Sequence, residues 1–474
     1  MEETSPPRRI ALALILGSQL MLTLDTSIIT TALPHVQRQF DFSQAALSWV
    51  QNAYVLAFGG LLLLGARAGD LLGRRRVFVA GIALFTLASL AAGLAPTGPL
   101  LIIARAVQGV AASLAVPSTL ALLVSGSRSA ADRARLIALY SAVIGAGGSV
   151  GIVIGGVFTD LLSWRWGLLV NVPIGIAIVS LAPRFLAETP RSSGNFDLGG
   201  ALTSVLGMTG LVFGFIQAAE KGWGDPTTYG SLAVGVVLLV TFVLIERVVA
   251  EPITPLRLFA SVERSGAYAG RFLIVGGNFA VFYFLSQYLQ EVLHLSALET
   301  GFAFVPVTGM FFAMVYVVRP LLERFGRPVL LVASIAVALV GTWWLSLIGT
   351  GSSYFPDVVL PLLVIGVGQG IAIILMTNGG VAGVEPRDAG AASGLVNVAH
   401  QVGGSLGIAI LTIVFTHGTG GGTSLDDRTA GFRDAFTGAT VFFVVALVLG
   451  IVVAIGTARS KRYPANAADL VPAE

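Results

Sequence analysis

Two charged residues stand where charge is most expensive. Asp25 lies inside an apolar run spanning about 10–31, and Arg105 inside another spanning about 98–124. An ionisable group at mid-membrane costs at least ~2.5 kcal/mol and marks a functional position unless something nearby needs it. A carboxyl group held away from water is a candidate proton carrier; it could also hold packing by bonding the Thr and Ser hydroxyls of neighbouring helices. Arginine does not release its proton at ordinary pH, so Arg105 would act on a neighbour or exchange partners. Gln108 and Gly109 fall on the same helix face as Arg105. A third charge, Arg271, falls in the run 266–290, whereas Glu246 and Glu299 sit at run ends. Asp25 and Arg105 are therefore the proton-coupling candidates.

Softer candidates are amides set among aromatics. They are Gln51, Asn52 and Tyr54; Gln108; Phe282, Tyr283 and Gln287; and Asn397 and Gln401. Aromatic walls with a few polar groups suit an amphipathic small molecule. Gly147, Gly151 and Gly155, with Gly156, form overlapping G-x-x-x-G steps that let helices approach closely. The chain has no cysteine, and its four histidines are scattered without metal-ligand spacing. No metal and no cofactor is expected. No G-x-x-x-x-G-K-[ST] loop is present, so nucleotide-driven pumping is excluded.

These residues need elements to position them. Only 11% of the 474 residues are charged and 55% are hydrophobic, against about 25% charged in a soluble domain. That excludes a cytosolic enzyme, a nucleic-acid binder and a disordered chain. Fourteen apolar runs are long enough to span a bilayer; the segment 416–434, rich in glycine, reads as a flexible outer loop. With the N-terminus inside, 21 of the 28 basic residues fall in inner segments and five in outer ones. That bias places both termini in the cytoplasm. Asp70-Leu-Leu-Gly73-Arg74 and Glu323-Arg-Phe-Gly326-Arg327 share an acid-x-x-Gly-Arg pattern 253 residues apart. The reading is an all-α polytopic membrane protein with a six-helix bundle at 1–190, two inserted helices at 191–260, a second bundle at 261–462 and a tail at 463–474.

The loop 65–76 resembles the signature loop of the major facilitator superfamily, and Leu24-Asp25-Thr26 through Ala32-Leu33-Pro34 resembles a signature of its 14-helix drug/proton antiporters. Arg105-x-x-Gln108-Gly109 resembles a further superfamily motif. The helix 5 glycines resemble the antiporter motif, with Ile152 where that motif has proline. The resemblance implies a major facilitator fold and export of amphipathic drugs or a toxic natural product across a bacterial cytoplasmic membrane. Proton antiport would drive it. The partners would be a small amphipathic substrate, protons and lipid, with no nucleic acid and a working monomer. It further implies an inner-side latch of Asp70, Gly73, Arg74 and Arg75, repeated at Glu323, Gly326 and Arg327, with Asp70 directed at the helix start near Asp388. A single-substrate natural-product exporter, or a uniport or symport carrier on the same fold, is the alternative.

Overall fold

The computed structural model describes residues 6–125, 127, 129–189, 191, 196–250, 252–385 and 388–462. Arg128, Arg387 and the tail 463–474 lie outside the described residues. Within them the chain is helical and has no strand. In a hydrocarbon solvent each backbone N–H must find its acceptor within the segment, so long apolar runs become helices. Thirteen stretches qualify as spans by length and composition. The 32-residue helix α5 (Ala130–Leu161) supplies the fourteenth run.

The first bundle holds α1 (Pro6–Phe40), α2 (Gln44–Leu72), α3 (Arg74–Gly93), α4 (Gly98–Ser125), α5, α6 (Trp164–Leu169) and α7 (Asn171–Phe185). Within it α2 and α3 pack on α4, α1 on α5, and α3 on α7. The hairpin of α8 (Leu198–Lys221) and α9 (Pro226–Val248) follows. Its α8 lies across both α2 and α15, while α9 is largely uncovered by protein. The second bundle holds α10 (Val262–Glu291), α11 (Ala297–Ala303), α12 (Val305–Phe325), α13 (Arg327–Leu345), α14 (Val359–Gly380), α15 (Ala389–Gly418) and α16 (Leu425–Arg462). The bundles meet through α1 with α10, α2 with α15, and α5 with α11.

The two acid-x-x-Gly-Arg sites adopt one geometry. Gly73 (φ +104°) ends α2 and starts α3, and Gly326 (φ +75°) ends α12 and starts α13. A left-handed φ at a one-residue joint is a conformation glycine reaches without a Cβ clash.

Four features depart from the sequence reading. Helix α1 runs past residue 31, through Pro34, to Phe40. Two spans are broken, at Val170 between α6 and α7 and at Phe304 between α11 and α12. The expected outer loop 416–434 is helical except for 419–424. Ser424 explains this, since its hydroxyl accepts from Asp427 N at 3.1 Å while Asp427 accepts back from Ser424 N at 3.1 Å. That reciprocal cap starts α16 nine residues before the expected loop end.

Candidate functional site: a buried carboxylate network beside a central cavity

Asp25 is wholly buried on α1, and α4 and α7 supply its partners. Arg105 Nη1 donates to Asp25 Oδ2 at 2.5 Å. Gln108 Nε2 at 2.9 Å and Asn171 Nδ2 at 2.8 Å donate to Asp25 Oδ1. Ser89 Oγ on α3 accepts from Gln108 at 2.7 Å and Asn171 at 3.3 Å, fixing both amides. Arg105 also reaches α2, donating from Nε to Val50 O at 3.1 Å, and its guanidinium lies 4.6 Å from the Tyr54 ring centroid. A buried ion pair persists only where further hydrogen bonds offset its desolvation, and this carboxylate accepts three. Charge-assisted bonds are the strong members of such a network. A proton on Asp25 would weaken all three at once. Arg105 would then keep Gln108 Oε1 of its own helix, at 3.0 Å, and Val50 O of α2, and its Nη2, which has no partner among the described residues, would be a spare donor for a new contact. The network thus ties the charge of one α1 residue to the position of α2.

Adjoining the network, between the bundles, is a cavity of about 240 Å³. Thr26, Ser27 and Thr30 of α1 and Gln51 of α2 face it from one side, and Asn278, Phe279 and Phe282 of α10 from the other. Gln369 of α14 closes part of the wall, donating to Asn278 Oδ1 at 2.8 Å. Phe282 stacks on Phe304 with centroids 4.9 Å apart. The Thr26 and Ser27 hydroxyls are spent on carbonyls of their own helix, but Gln51 Oε1 is buried without a partner among the described residues. The result is a mostly apolar chamber with a few amides. Asp25 does not line it, although Thr26 does.

Of the sequence-selected substrate contacts, Gln51 and Phe282 line this cavity. The others do different work. Gln108 and Tyr54 belong to the Asp25–Arg105 cluster. Asn52 accepts from Ser405 Oγ at 2.9 Å across the bundles, and Gln287 accepts from Gln44 at 2.8 Å, also across them. Tyr283 is buried in the apolar core. Asn397 is exposed and bonds Ser393 O at 3.1 Å on its own helix. Gln401 lies against Gly59 of α2. Helical periodicity explains the split, because neighbours such as Phe282 and Tyr283 point about 100° apart.

The α5 glycines form a contact face. Cβ atoms on Gly147, Gly151 and Gly155 would crowd Thr23, Ser27 and Ile28 of α1; on Gly155 one would lie 2.7 Å from the Ile28 carbonyl oxygen. Gly156 faces the opposite bundle, where a Cβ would lie 2.7 Å from Leu298 Cα. Ile152 is buried beside the cavity.

At the loop after α2, Asp70 pairs with Arg74 one turn on. Arg75 N donates to Glu188 at 3.0 Å, and Arg75 Nη1 to Leu186 O at 3.1 Å. In the second copy Glu323 bonds Arg319 at 3.1 Å, and Arg327 pairs with Glu263. Asp388, expected near the Asp70 acceptor, is gripped by Arg257 through bonds of 2.7 and 2.6 Å.

Bonds that pin the bundles together include several in the half of the molecule away from the termini. Asp160 at the end of α5 accepts from Ala297 N at 3.1 Å and Leu298 N at 2.8 Å. Ser286 donates to Thr30 O at 2.9 Å and Gln290 to Thr31 O at 3.1 Å. Asn171, Ser89 and Asp160 were not selected from the sequence, since each is an ordinary polar residue until its partner is known.

Two helical bundles around a mostly apolar cavity with a few amides, and a charged network buried in one of them, define a multi-pass membrane transporter rather than an enzyme. The chain belongs to the Major Facilitator Superfamily, whose family model matches residues 15–408. It is 39% identical to a cephamycin export protein of Amycolatopsis lactamdurans, over 93% of this chain and 91% of that one. It is likewise 39% identical to a puromycin resistance protein of Streptomyces alboniger, over 95% and 91%. Among solved structures, a bacterial homologue of the human lysosomal transporter Spinster, in an inward-facing and unoccupied conformation, superposes with a TM-score of 0.70. It covers 98% of this chain and 100% of that one at 14% identity, a likeness of fold alone.

Proposed function

We propose that this transporter exports amphipathic antibiotics or a toxic natural product from a bacterial cytoplasm in exchange for protons, with both termini cytoplasmic. The observation that carries the coupling is the Asp25 network, whose single proton-exchanging group is bonded to α4 and α7 and, through Arg105, to α2. An export relative and a resistance relative, each matched over nearly the whole chain, support the direction and the kind of cargo. Basic residues crowded on the terminal side support the orientation.

The bundles act as two rocking bodies. Pinned on the far side by Asp160, Ser286 and Gln290, the described state loads its cavity from the cytoplasm, and the latch residue Asp70 rests on Arg74 meanwhile. Substrate and proton occupy different places, cavity and network, that share α1 and α2. Protonation of Asp25 from outside frees Arg105 to follow α2 and favours substrate release and the return to the inward state.

The test is Asp25→Asn in inside-out vesicles holding a pH gradient. Added drug collapses the gradient with the native protein; the variant, present in the membrane at equal amount, gives no collapse and no efflux. Full efflux by the variant refutes the coupling role.

A further inference from the structure

The second bundle also buries an arginine, and it is held very differently. Arg271 of α10 is about nine-tenths buried. Its Nη1 donates to Thr377 Oγ1 at 2.6 Å and to Ile373 O at 3.2 Å, both on α14. Its Nη2 meets His400 Nδ1 of α15 at 3.3 Å, and its Nε has no partner among the described residues. Every contact is with a neutral group. Among the described residues no carboxylate is bonded to it: α10 has no Asp or Glu between Glu263 and Glu291, and α14 and α15 have none at all. Arg105, by contrast, is paired with Asp25. An unbalanced guanidinium in a membrane interior is costly and marks a candidate functional site, and an anion is the partner that would balance it.

Its position says which anion. Arg271 and Asn278 share one face of α10 seven residues apart, about 10 Å along the axis. The Arg271–Thr377 bond and the Asn278–Gln369 bond are successive rungs between α10 and α14. The upper rung lines the central cavity, so the lower lies on its terminal side. Phe279, also a cavity residue, stands edge-on to His400 with centroids 5.3 Å apart. A molecule in the cavity is thus separated from the guanidinium by one phenyl ring and one imidazole.

We propose that Arg271 is the receiving cation for a carboxylate on the transported substrate, so that the protein takes amphipathic organic acids. The apolar part occupies the chamber beside Phe279 and Phe282. With the Phe279 and His400 rings turned aside, the carboxylate takes the place of neutral acceptors on Arg271, with a bidentate fit that the guanidinium fork favours. This rests on the exporter reading above and specifies its substrate class.

The test uses the purified full chain in lipid nanodiscs with two probes that share a ring system, 1-pyrenebutyrate and neutral 1-pyrenebutanol. Binding is read by energy transfer from tryptophan, with empty nanodiscs as background. The native protein is expected to hold the acid at least tenfold more tightly than the alcohol. Arg271→Gln abolishes that preference while leaving alcohol binding within twofold, and Arg271→Lys retains part of it. No preference in the native protein overturns the proposal, a result obtained without any variant. So does an equal weakening of both probes by Arg271→Gln, which would make Arg271 a tie between α10, α14 and α15. Vesicle transport of neutral and cationic drugs separates the two claims: such transport without acid preference sinks this inference and leaves the exporter standing. Transport of no compound removes the exporter reading itself.

Discussion

Asp160 offers the most direct handle on the state of the transporter. Its carboxylate reaches across the bundles to two successive backbone N–H groups at the start of α11, at 3.1 and 2.8 Å. Hydrogen bonds to a charged group are worth about 1.5–3 kcal/mol each when desolvated. The Asp160 residue is exposed, so solvent screening reduces the pair to roughly 1–2 kcal/mol in total. Asp160→Ala removes this from the state pinned on the far side and leaves the opposite state unaffected. The equilibrium should therefore move by about 5- to 30-fold toward opening on that side. The chain has no cysteine, so a single Ser27→Cys reporter on the cavity wall can be labelled without background. A membrane-impermeant thiol reagent added from the far side should react about 5- to 30-fold faster in the Asp160→Ala variant. An unchanged or slower rate would show that Asp160 does not hold the gate, and that Ser286 and Gln290 suffice.

Two further outcomes follow from the packing. Arg105→Lys keeps the charge but not the fork that reaches Asp25, Gln108 and Val50 together, so efflux should fall at least tenfold with the protein still present in the membrane; native-level efflux would show that charge alone suffices. Gly155→Ala sets a methyl against the Ile28 backbone, an overpacking cost of about 1–3 kcal/mol. The melting temperature in detergent should drop by several degrees, and an unchanged value would place α1 and α5 farther apart.

The parts legible in the sequence were those that local composition encodes. Fourteen apolar runs stand out because lipid tolerates little else, and Asp25 and Arg105 stand out because charge within such runs is rare. Gly73 and Gly326 were visible as a repeat, and the structure shows the same left-handed joint at both. Other features depend on partners distant in sequence. Asn171 became meaningful only when α7 brought it to within 2.8 Å of Asp25, and Tyr283 looked like a wall residue until its helical angle turned it into the core. Arg271 and His400 were each noticeable alone, yet 129 residues separate them and nothing local joins them. The start of α16 is a different case. Ser424-x-x-Asp427 is a readable capping signal, and the surrounding glycines masked it.

Asp25 lies outside the cavity lining although Thr26 belongs to it, so under the proposed proton exchange, cargo and proton would not contend for one carboxylate. The chamber could then be re-lined to admit another molecule while the Asp25–Arg105 network stays fixed. On that reading a new compound would be met by changes at lining residues such as Gln51 or Phe282, with the proposed coupling network left intact.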